Sequence, residues 1–507
     1  MGMLDHCLGD ADRFRKYTDA QTFARIVDDG DLCQMWKRCA TEYEGRVALT
    51  YAGSSLTYGE LDREIAARRS ALAKAGCKSG ERIALVCANS IDFACAFFAI
   101  VTLGGVAVVL PPQYSDQEIE DCCRRMEATK LLAQPELQEM CEPLCERISG
   151  LAVLSTDRRA EADVPMFLPQ PDDPCVIMLT GGTTGRRKGA LLSHTAMVRG
   201  IMNGCYCAKE PFEQRYLLLL PLSHTFGLIR NLLTSIYTGS TMFISESPKN
   251  MVQDMLAFNP TILVVVPALV ELALKLYKTL GRNIFGTSLK TIISGAAPMP
   301  SYLIEEYHLL GVTILPGYGL TEAANLVSGN GEPLSKPDSI GLLYPELELK
   351  IVDGELWLKG RNLLTCYVGG DEEGLTEDGW FRTGDLVQLD EDGFLYMTGR
   401  TKEIIKLDNG VSIYPVQLEA HFNALSFVQD SEVFEAVEED GRHVLALEVV
   451  LRETELEQLG ADPAQAALER LWDTNRQQDP SEQVSRITVR DRDFERTPSM
   501  KIVRHKL

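Results

Sequence analysis

Seven short, β-rich apolar runs separated by helical stretches constrain this chain more than any other feature. They are Ile83–Cys87, Val106–Leu110, Val176–Leu179, Tyr216–Leu220, Thr241–Ile244, Ile262–Val266 and Thr291–Ile293. Helical patterns such as Leu61–Ala75 and Ala268–Leu280 lie between them. Strand and helix in alternation predict an α/β chain with doubly wound parallel sheets. From about Pro345 the texture changes to shorter alternating strands: Leu347–Val352, Glu355–Lys359, Leu386–Leu389 and Phe394–Met397. The turns Val352-Asp353-Gly354-Glu355 and Asp390-Glu391-Asp392-Gly393 between them are hairpin-like, so a small barrel-like subdomain is expected there. After Gly399 about a hundred residues alternate strand and helix again, as a separate small domain would.

Length and charge agree. At 507 residues the chain exceeds one ordinary domain and can bury a large core. It carries 72 acidic against 50 basic side chains, a formal charge of −22, which in the mean field repels nucleic acid and anionic membranes. No basic cluster interleaved with aromatics argues for nucleic-acid binding. The 14 cysteines show no paired metal-ligand spacing, and no secretory signal is read, so free thiols in a reducing cytoplasm are expected. Phe93 to Leu110 is uncharged and about as long as a marginal membrane span. Gly104-Gly105 divides it and Pro111-Pro112 ends it, so it predicts a buried helix near Ile91–Leu103 and a buried strand Val106–Leu110.

The loop after Val176–Leu179 reads Thr180-Gly181-Gly182-Thr183-Thr184-Gly185-Arg186-Arg187-Lys188-Gly189. Glycines let backbone N–H groups approach phosphate oxygens, hydroxyls add donors, and lysine supplies charge. It is not the Walker loop, because no Ser or Thr follows Lys188. The alternative is an ordinary surface turn, since Gly and Thr are common loop residues.

This loop resembles the phosphate loop of the adenylate-forming enzymes, which include acyl-CoA synthetases, amino-acid-activating domains and luciferases. Gly181 stands where serine is usual, as in the fatty-acid branch, and Arg187 where proline is usual. Further blocks follow in the family's order. Ser294-Gly295-Ala296-Ala297-Pro298 resembles the loop along the adenine, and Tyr318-Gly319-Leu320-Thr321-Glu322 the block that stacks a ring on adenine and brings a carboxylate to the metal. Phe381-Arg382-Thr383-Gly384-Asp385-Leu386 is similar to the block whose aspartate holds the ribose. Gly399-Arg400-Thr401-Lys402-Glu403 resembles the arginine-bearing hinge, and Pro498-Ser499-Met500-Lys501-Ile502 the terminal lysine motif, with Met500 in place of glycine. The resemblance implies a large N-terminal domain, 1–398, of two doubly wound α/β subdomains plus a small distorted β-barrel at about 345–398. A hinge at 399–403 and a small mobile α/β domain at 404–507 complete it.

It also implies ATP, Mg²⁺ and coenzyme A. A carboxylate must lose its charge before a nucleophile attacks, and transfer to the α-phosphorus of ATP makes an acyl-adenylate. Two anions have to meet, so cations and donors must converge on phosphorus. By resemblance Thr183, Thr184 and Lys188 hold the β- and γ-phosphates, Glu322 ligates Mg²⁺, and Thr321 offers a hydroxyl to the α-phosphate. Lys501 bridges substrate carboxylate and α-phosphate, and Arg400 reaches the ribose and phosphate. Lys402 marks the pivot about which the small domain withdraws Lys501 and brings Gly410 towards a thiol tunnel. Lys406 reads as an ordinary charge.

The acid and the acceptor are read from Pro221-Leu222-Ser223-His224-Thr225-Phe226-Gly227, which resembles the acyl-CoA synthetase block bordering the acyl pocket. His224 would lie near the carboxylate; the other reading is a hydrogen-bonded core histidine. No acidic residue lies between Leu222 and Ile236 to pair an ammonium, which disfavours amino acids. The largely apolar Leu228–Ile236, with the small Gly295 and Ala296, suits an aliphatic tail. Arg230 is expected to point outward from a helix, the alternative being that it binds a second carboxylate. The expectation is a cytoplasmic medium- or long-chain fatty-acid CoA ligase. An acyl carrier protein as acceptor and a dicarboxylate as substrate remain alternatives. A non-catalytic acyl-adenylate binder is a third, prompted by Arg187, Met500 and Cys366.

Overall fold

The computed structural model describes residues 6–180, 188–369, 374–406, 412–438, 443–456, 459, 462–480, 482–496, 502 and 504–505. The chain divides into two compact units. One comprises His6–Leu349 and Leu358–Phe381; the other comprises Lys350–Trp357 and the described residues from Arg382 onwards.

The first unit is built on two sheets. In one, the order is Cys366–Val368, Lys188–Ser193, Pro174–Thr180, Val106–Leu110, Arg82–Val86, Lys130–Ala133, Ala152–Ser155. Its last five strands run parallel, and the first two join antiparallel. The second sheet of this unit runs from Gly341–Leu343 through Ser328–Gly329, Thr313–Tyr318, Thr291–Ser294, Ile262–Val265, Arg215–Leu218, Thr241–Ile244 and Val47–Tyr51 to Ser54–Thr57. It is parallel in the middle and antiparallel at both ends. The expected doubly wound α/β architecture is the observed one.

Local chemistry explains the boundaries. Helix Ile91–Leu103 begins where the Ser90 hydroxyl accepts the Phe93 N–H and ends at Gly104, whose φ of 89° a side chain would strain. The strand Val106–Leu110 that follows is buried at every position. That apolar stretch is therefore core, and among the described residues no helix is long and apolar enough to cross a membrane. Helix Tyr58–Lys74 starts three residues before the apolar pattern predicts, because Thr57 and Glu60 form a reciprocal capping box. The strand expected to reach Leu220 stops at Leu218, and the Leu220 carbonyl instead accepts the Asn89 side-chain amide at 2.8 Å.

In the second unit Phe381–Leu389 pairs antiparallel with Phe394–Arg400. Both strands run past their predicted apolar cores because the polar ends are tied down. The Thr383 hydroxyl donates to the Leu356 carbonyl at 2.7 Å, and the Gly384 N–H donates to Glu355 Oε1 at 3.0 Å. Further on, Val428–Val437, His443–Leu451 and Arg486–Val489 form a three-stranded sheet. Helices Pro415–Asn423 and Pro463–Arg476 cover it, burying Phe422, Phe427, Leu447 and Leu471 in a core of its own.

Candidate active site

The glycine- and threonine-rich loop leaves the sheet between two paired strands. Thr180 closes Pro174–Thr180, Lys188 opens Lys188–Ser193, and the two residues are register partners. The Thr180 hydroxyl donates to the Lys188 carbonyl at 3.4 Å. Gly181, Gly182, Thr183, Thr184 and Gly185 lie outside the described residues, as do Arg187, Gly410, Met500 and Lys501.

One residue that the sequence reading passed over joins the loop to the metal-binding candidate. Tyr367, on the strand Cys366–Val368, pairs with Ala190 and so faces the start of the lysine-bearing strand. Its ring centroid is 5.4 Å from Lys188 Nζ, and its hydroxyl donates to Glu322 Oε1 at 2.7 Å. The Glu322 carbonyl also accepts the Leu364 N–H at 2.7 Å. Tyr367 thus sets a cation and a carboxylate side by side, and only strand pairing across more than 170 positions of sequence brings it there. Next to it, Cys366 pairs antiparallel with Leu191.

The block Tyr318–Glu322 is shaped by close backbone approach. A Cβ on Gly319 would lie 1.2 Å from the Asn325 carbonyl oxygen, so no other residue fits. Ala324 and Asn325 both take positive φ, 46° and 78°, to turn the chain sharply after Glu322. The buried Asn362 side chain holds that turn, donating to the carbonyls of Ala323 at 3.1 Å and Leu326 at 3.2 Å. Tyr318 is buried.

Across from it, Ser294 ends its strand with a buried hydroxyl that has no partner. Gly295 follows; a Cβ there would come 3.0 Å from the Gly317 carbonyl oxygen and 3.6 Å from the tip of the Phe226 ring. Ala296 has φ of 70°, a conformation that costs an alanine about 1 kcal/mol, and Ala297 is exposed. This edge thus combines an unmet hydroxyl, a positive-φ turn and a glycine with little room for a side chain.

His224 reaches the same neighbourhood. The Phe226 N–H donates to its Nδ1 at 3.3 Å, so the neutral ring carries its proton on Nε2. The next residue, Thr225, places its hydroxyl 3.5 Å from that of Thr321. Lys188, Tyr367, Glu322, Thr321, Thr225 and His224 therefore form one connected series within the first unit. Glu322 offers a hard carboxylate oxygen of the kind Mg²⁺ prefers, so the donor set fits that ion.

The helix after His224 corrects one expectation. Phe226–Leu233 is a π-helix, continued by the α-helix Thr234–Tyr237. Arg230 does not point outward: it is 3 % exposed, and its Nη1 has no partner. The reason is that every residue from Phe226 to Tyr237 is buried, so this helix has no solvent side to offer. Single-turn π geometry is frequent at functional sites.

In the second unit Asp385, 2 % exposed, faces its register partner Arg400, whose Nε lies 2.8 Å from Asp385 Oδ1. Lys402 is exposed in the short turn Thr401–Glu403, where the Thr401 hydroxyl donates to the Gly384 carbonyl at 3.2 Å. The backbone of Lys406 pairs with Ser412.

All 14 cysteines are free thiols. A second polar group escapes sequence reading because its members are far apart: Asp31, Cys33 and His194 bring ligand atoms within 4.8 Å of one another. Burial holds the His194 ring down at about 4, against the opposing pull of Asp31 and Asp173. On unfolding it returns to about 6.5, so between those values the unfolded chain takes up a proton that the folded chain refuses. This contribution is therefore complete above about pH 6.5 and is lost as pH falls towards 4, by about 3 kcal/mol in all. Urea midpoints measured from pH 7 to 4.5 should fall less steeply for His194→Gln than for the native chain.

Comparison with known proteins agrees with this geometry. Residues 36–368 match the family described as AMP-binding enzyme. A "4-coumarate--CoA ligase-like 6" of Arabidopsis thaliana is 30% identical over 423 residues, covering 75% of this chain and 74% of that protein. A "Long-chain-fatty-acid--CoA ligase" of Salmonella typhimurium is 28% identical over 450 residues, covering 76% and 80%. Among solved structures, the o-succinylbenzoate coenzyme A synthetase of Bacillus subtilis in complex with ATP and magnesium ion superposes with a TM-score of 0.77. That match covers 93% of this chain and 98% of the other at 23% identity, a likeness of fold. The chain belongs to the AMP-binding enzyme family, as an ATP-dependent, AMP-forming acyl-CoA ligase.

Proposed function

We propose that this ligase works in two half-reactions with the residue roles that the family blocks carry. In the first, an oxygen of the acid attacks the α-phosphorus of ATP, pyrophosphate leaves and acyl-AMP forms. In the second, the thiol sulfur of CoA attacks the acyl carbon and AMP leaves. The placement of Lys188 and Glu322 around Tyr367 carries the reading, because one tyrosine, on a strand paired to the one that begins at Lys188, holds a cation and a carboxylate beside each other.

In this reading Thr180 to Gly185 with Lys188 hold the β- and γ-phosphates, and Gly295, Ala296, Ala297, Tyr318 and Gly319 border the adenine. Glu322 holds Mg²⁺, which supplies charge at the phosphates when bound. Thr321 orients the α-phosphate and His224, with its proton on Nε2, donates to an oxygen of the acid. Asp385 and Arg400 take the ribose, and Lys501 serves the adenylation step. The division of labour falls at 399–403, with Lys402 as the pivot between 1–398 and 404–507. The acid is an aliphatic one: Leu228, Ile229, Leu232 and Leu233 are buried on the helix whose Phe226 reaches Gly295. The apolar character of that helix supports a fatty chain as far as Arg230 allows.

Incubating the protein with ATP, Mg²⁺ and a panel of carboxylic acids, with either CoA or a holo-carrier protein, tests the proposal. Acid-dependent pyrophosphate–ATP exchange with AMP release only on adding CoA is the expected result. Exchange with amino acids alone, or thioester formed only on the carrier, would overturn it.

Tyr367→Phe is a sharper test of the site. It keeps the ring over Lys188 but removes the hydrogen bond that orients Glu322, so adenylation should fall about 10–100-fold, the scale of losing a metal ligand's outer partner. Because Tyr367 acts through Glu322, the loss should shrink as Mg²⁺ is raised. An equal loss at every Mg²⁺ concentration would mean that Tyr367 serves only packing.

A further inference from the structure

We infer that Arg230 recognises a second carboxylate, at the far end of the acid, so that the preferred substrates are α,ω-dicarboxylic acids. The inference rests on the acid–CoA ligase reading above and names the substrate class of that same site.

Three observations carry it. First, the Arg230 guanidinium is buried without a counter-ion: among the described residues no carboxylate lies within ion-pairing distance of it, and Nη1 has no hydrogen-bond partner. A guanidinium keeps its charge in any protein, so burial without an anion is costly unless something arrives to neutralise it.

Second, the groups around it are neutral. Its charge acts on Cys205, Cys207, Tyr216 and Tyr344, and Tyr216 also takes a hydrogen bond from it. Burial pushes the two thiols up to about 12 and raises both phenols, so none of the four supplies a negative charge near neutral pH. The adjacent Asn231 is fully buried with both amide atoms unpartnered, so unmet polarity extends over two consecutive residues of the helix.

Third, the arginine sits where a substrate tail would end. At the start of the same helix Thr225 lies against Thr321, and Phe226 reaches Gly295. Arg230 follows five residues after Thr225, one π turn, and so shares its side of the helix. One π turn along the axis together with the arginine side chain spans a short run of methylenes between two carboxylates. Leu228, Ile229, Leu232 and Leu233 provide apolar surface for that run, while the arginine gives it a charged end.

The experiment is pyrophosphate–ATP exchange with matched series of saturated acids, succinate to sebacate against butyrate to decanoate, on the native protein and on Arg230→Met. For the native protein kcat/KM should peak at one dicarboxylic chain length, at least tenfold above the monocarboxylic acid of equal length. In Arg230→Met that preference should fall by about 10²-fold or more, because a site built around a bidentate partner discriminates strongly against its loss. Thermal shift gives an activity-independent reading: the best dicarboxylic acid should raise the Tm of the native protein and not that of Arg230→Met. Should Arg230→Met not fold, Arg230→Lys replaces it, with the preference reduced because the fork geometry is lost. Preference for monocarboxylic acids at every length in the native protein would overturn this inference and leave the ligase reading standing. Inertness towards every acid would overturn both.

Discussion

Replacing Lys501 by alanine is expected to slow adenylate formation about 10²–10³-fold, the scale of losing one preorganised donor at a developing charge. The first half-reaction brings a carboxylate against a triphosphate, and the proposal assigns Lys501 the cation that stands between them. Mutual repulsion of the two anions then opposes the attack in the variant, and KM for ATP should change much less than kcat. Thioester formation from preformed acyl-AMP and CoA should proceed at nearly the native rate, because in the proposed mechanism Lys501 has been withdrawn before that step. Measuring the two half-reactions separately decides the matter. Equal losses in both would contradict a role confined to adenylation.

The mirror image is expected of Lys402→Pro. Proline fixes φ near −65° and restricts the residue before it, so any rotation of the chain at this position is blocked. Adenylate should form and pyrophosphate leave, while transfer to CoA falls by orders of magnitude. Lys402→Ala, which removes the charge but leaves the backbone free, should retain most of the transfer rate. The exposure of Lys402 in the turn Thr401–Glu403 makes the pair of variants informative, since its side chain has little packing to lose. Normal transfer in Lys402→Pro would show that the pivot lies elsewhere.

How far the site could be read in advance depends on the distance between its members. Lys188, Glu322, Asp385 and Arg400 stand in short blocks whose residue order carries the chemistry, and the first two do come together across the sheet. Tyr367 was invisible. It has no motif of its own, and its role exists only because Cys366–Val368 adds antiparallel to the strand that begins at Lys188. Arg230 was misread for a related reason. A charged residue in an amphipathic stretch ordinarily marks the wet side, but the helix Phe226–Leu233 is enclosed on every side.

Local sequence determined what short-range forces control. The run Ile91–Leu110 became a buried helix and a buried strand because Ser90 caps one end, Gly104 alone tolerates the turn between, and the apolar content leaves no face for water. The alternation of such runs determined the parallel sheets, since each strand needs a crossover to reach the next. What the tertiary structure decided is which polar groups meet and which are left unmet. Hydrogen bonds and charges act over a few ångströms, so the pairing of Tyr367 with Glu322 and the isolation of Arg230 among neutral neighbours arise only once segments far apart in sequence are packed together.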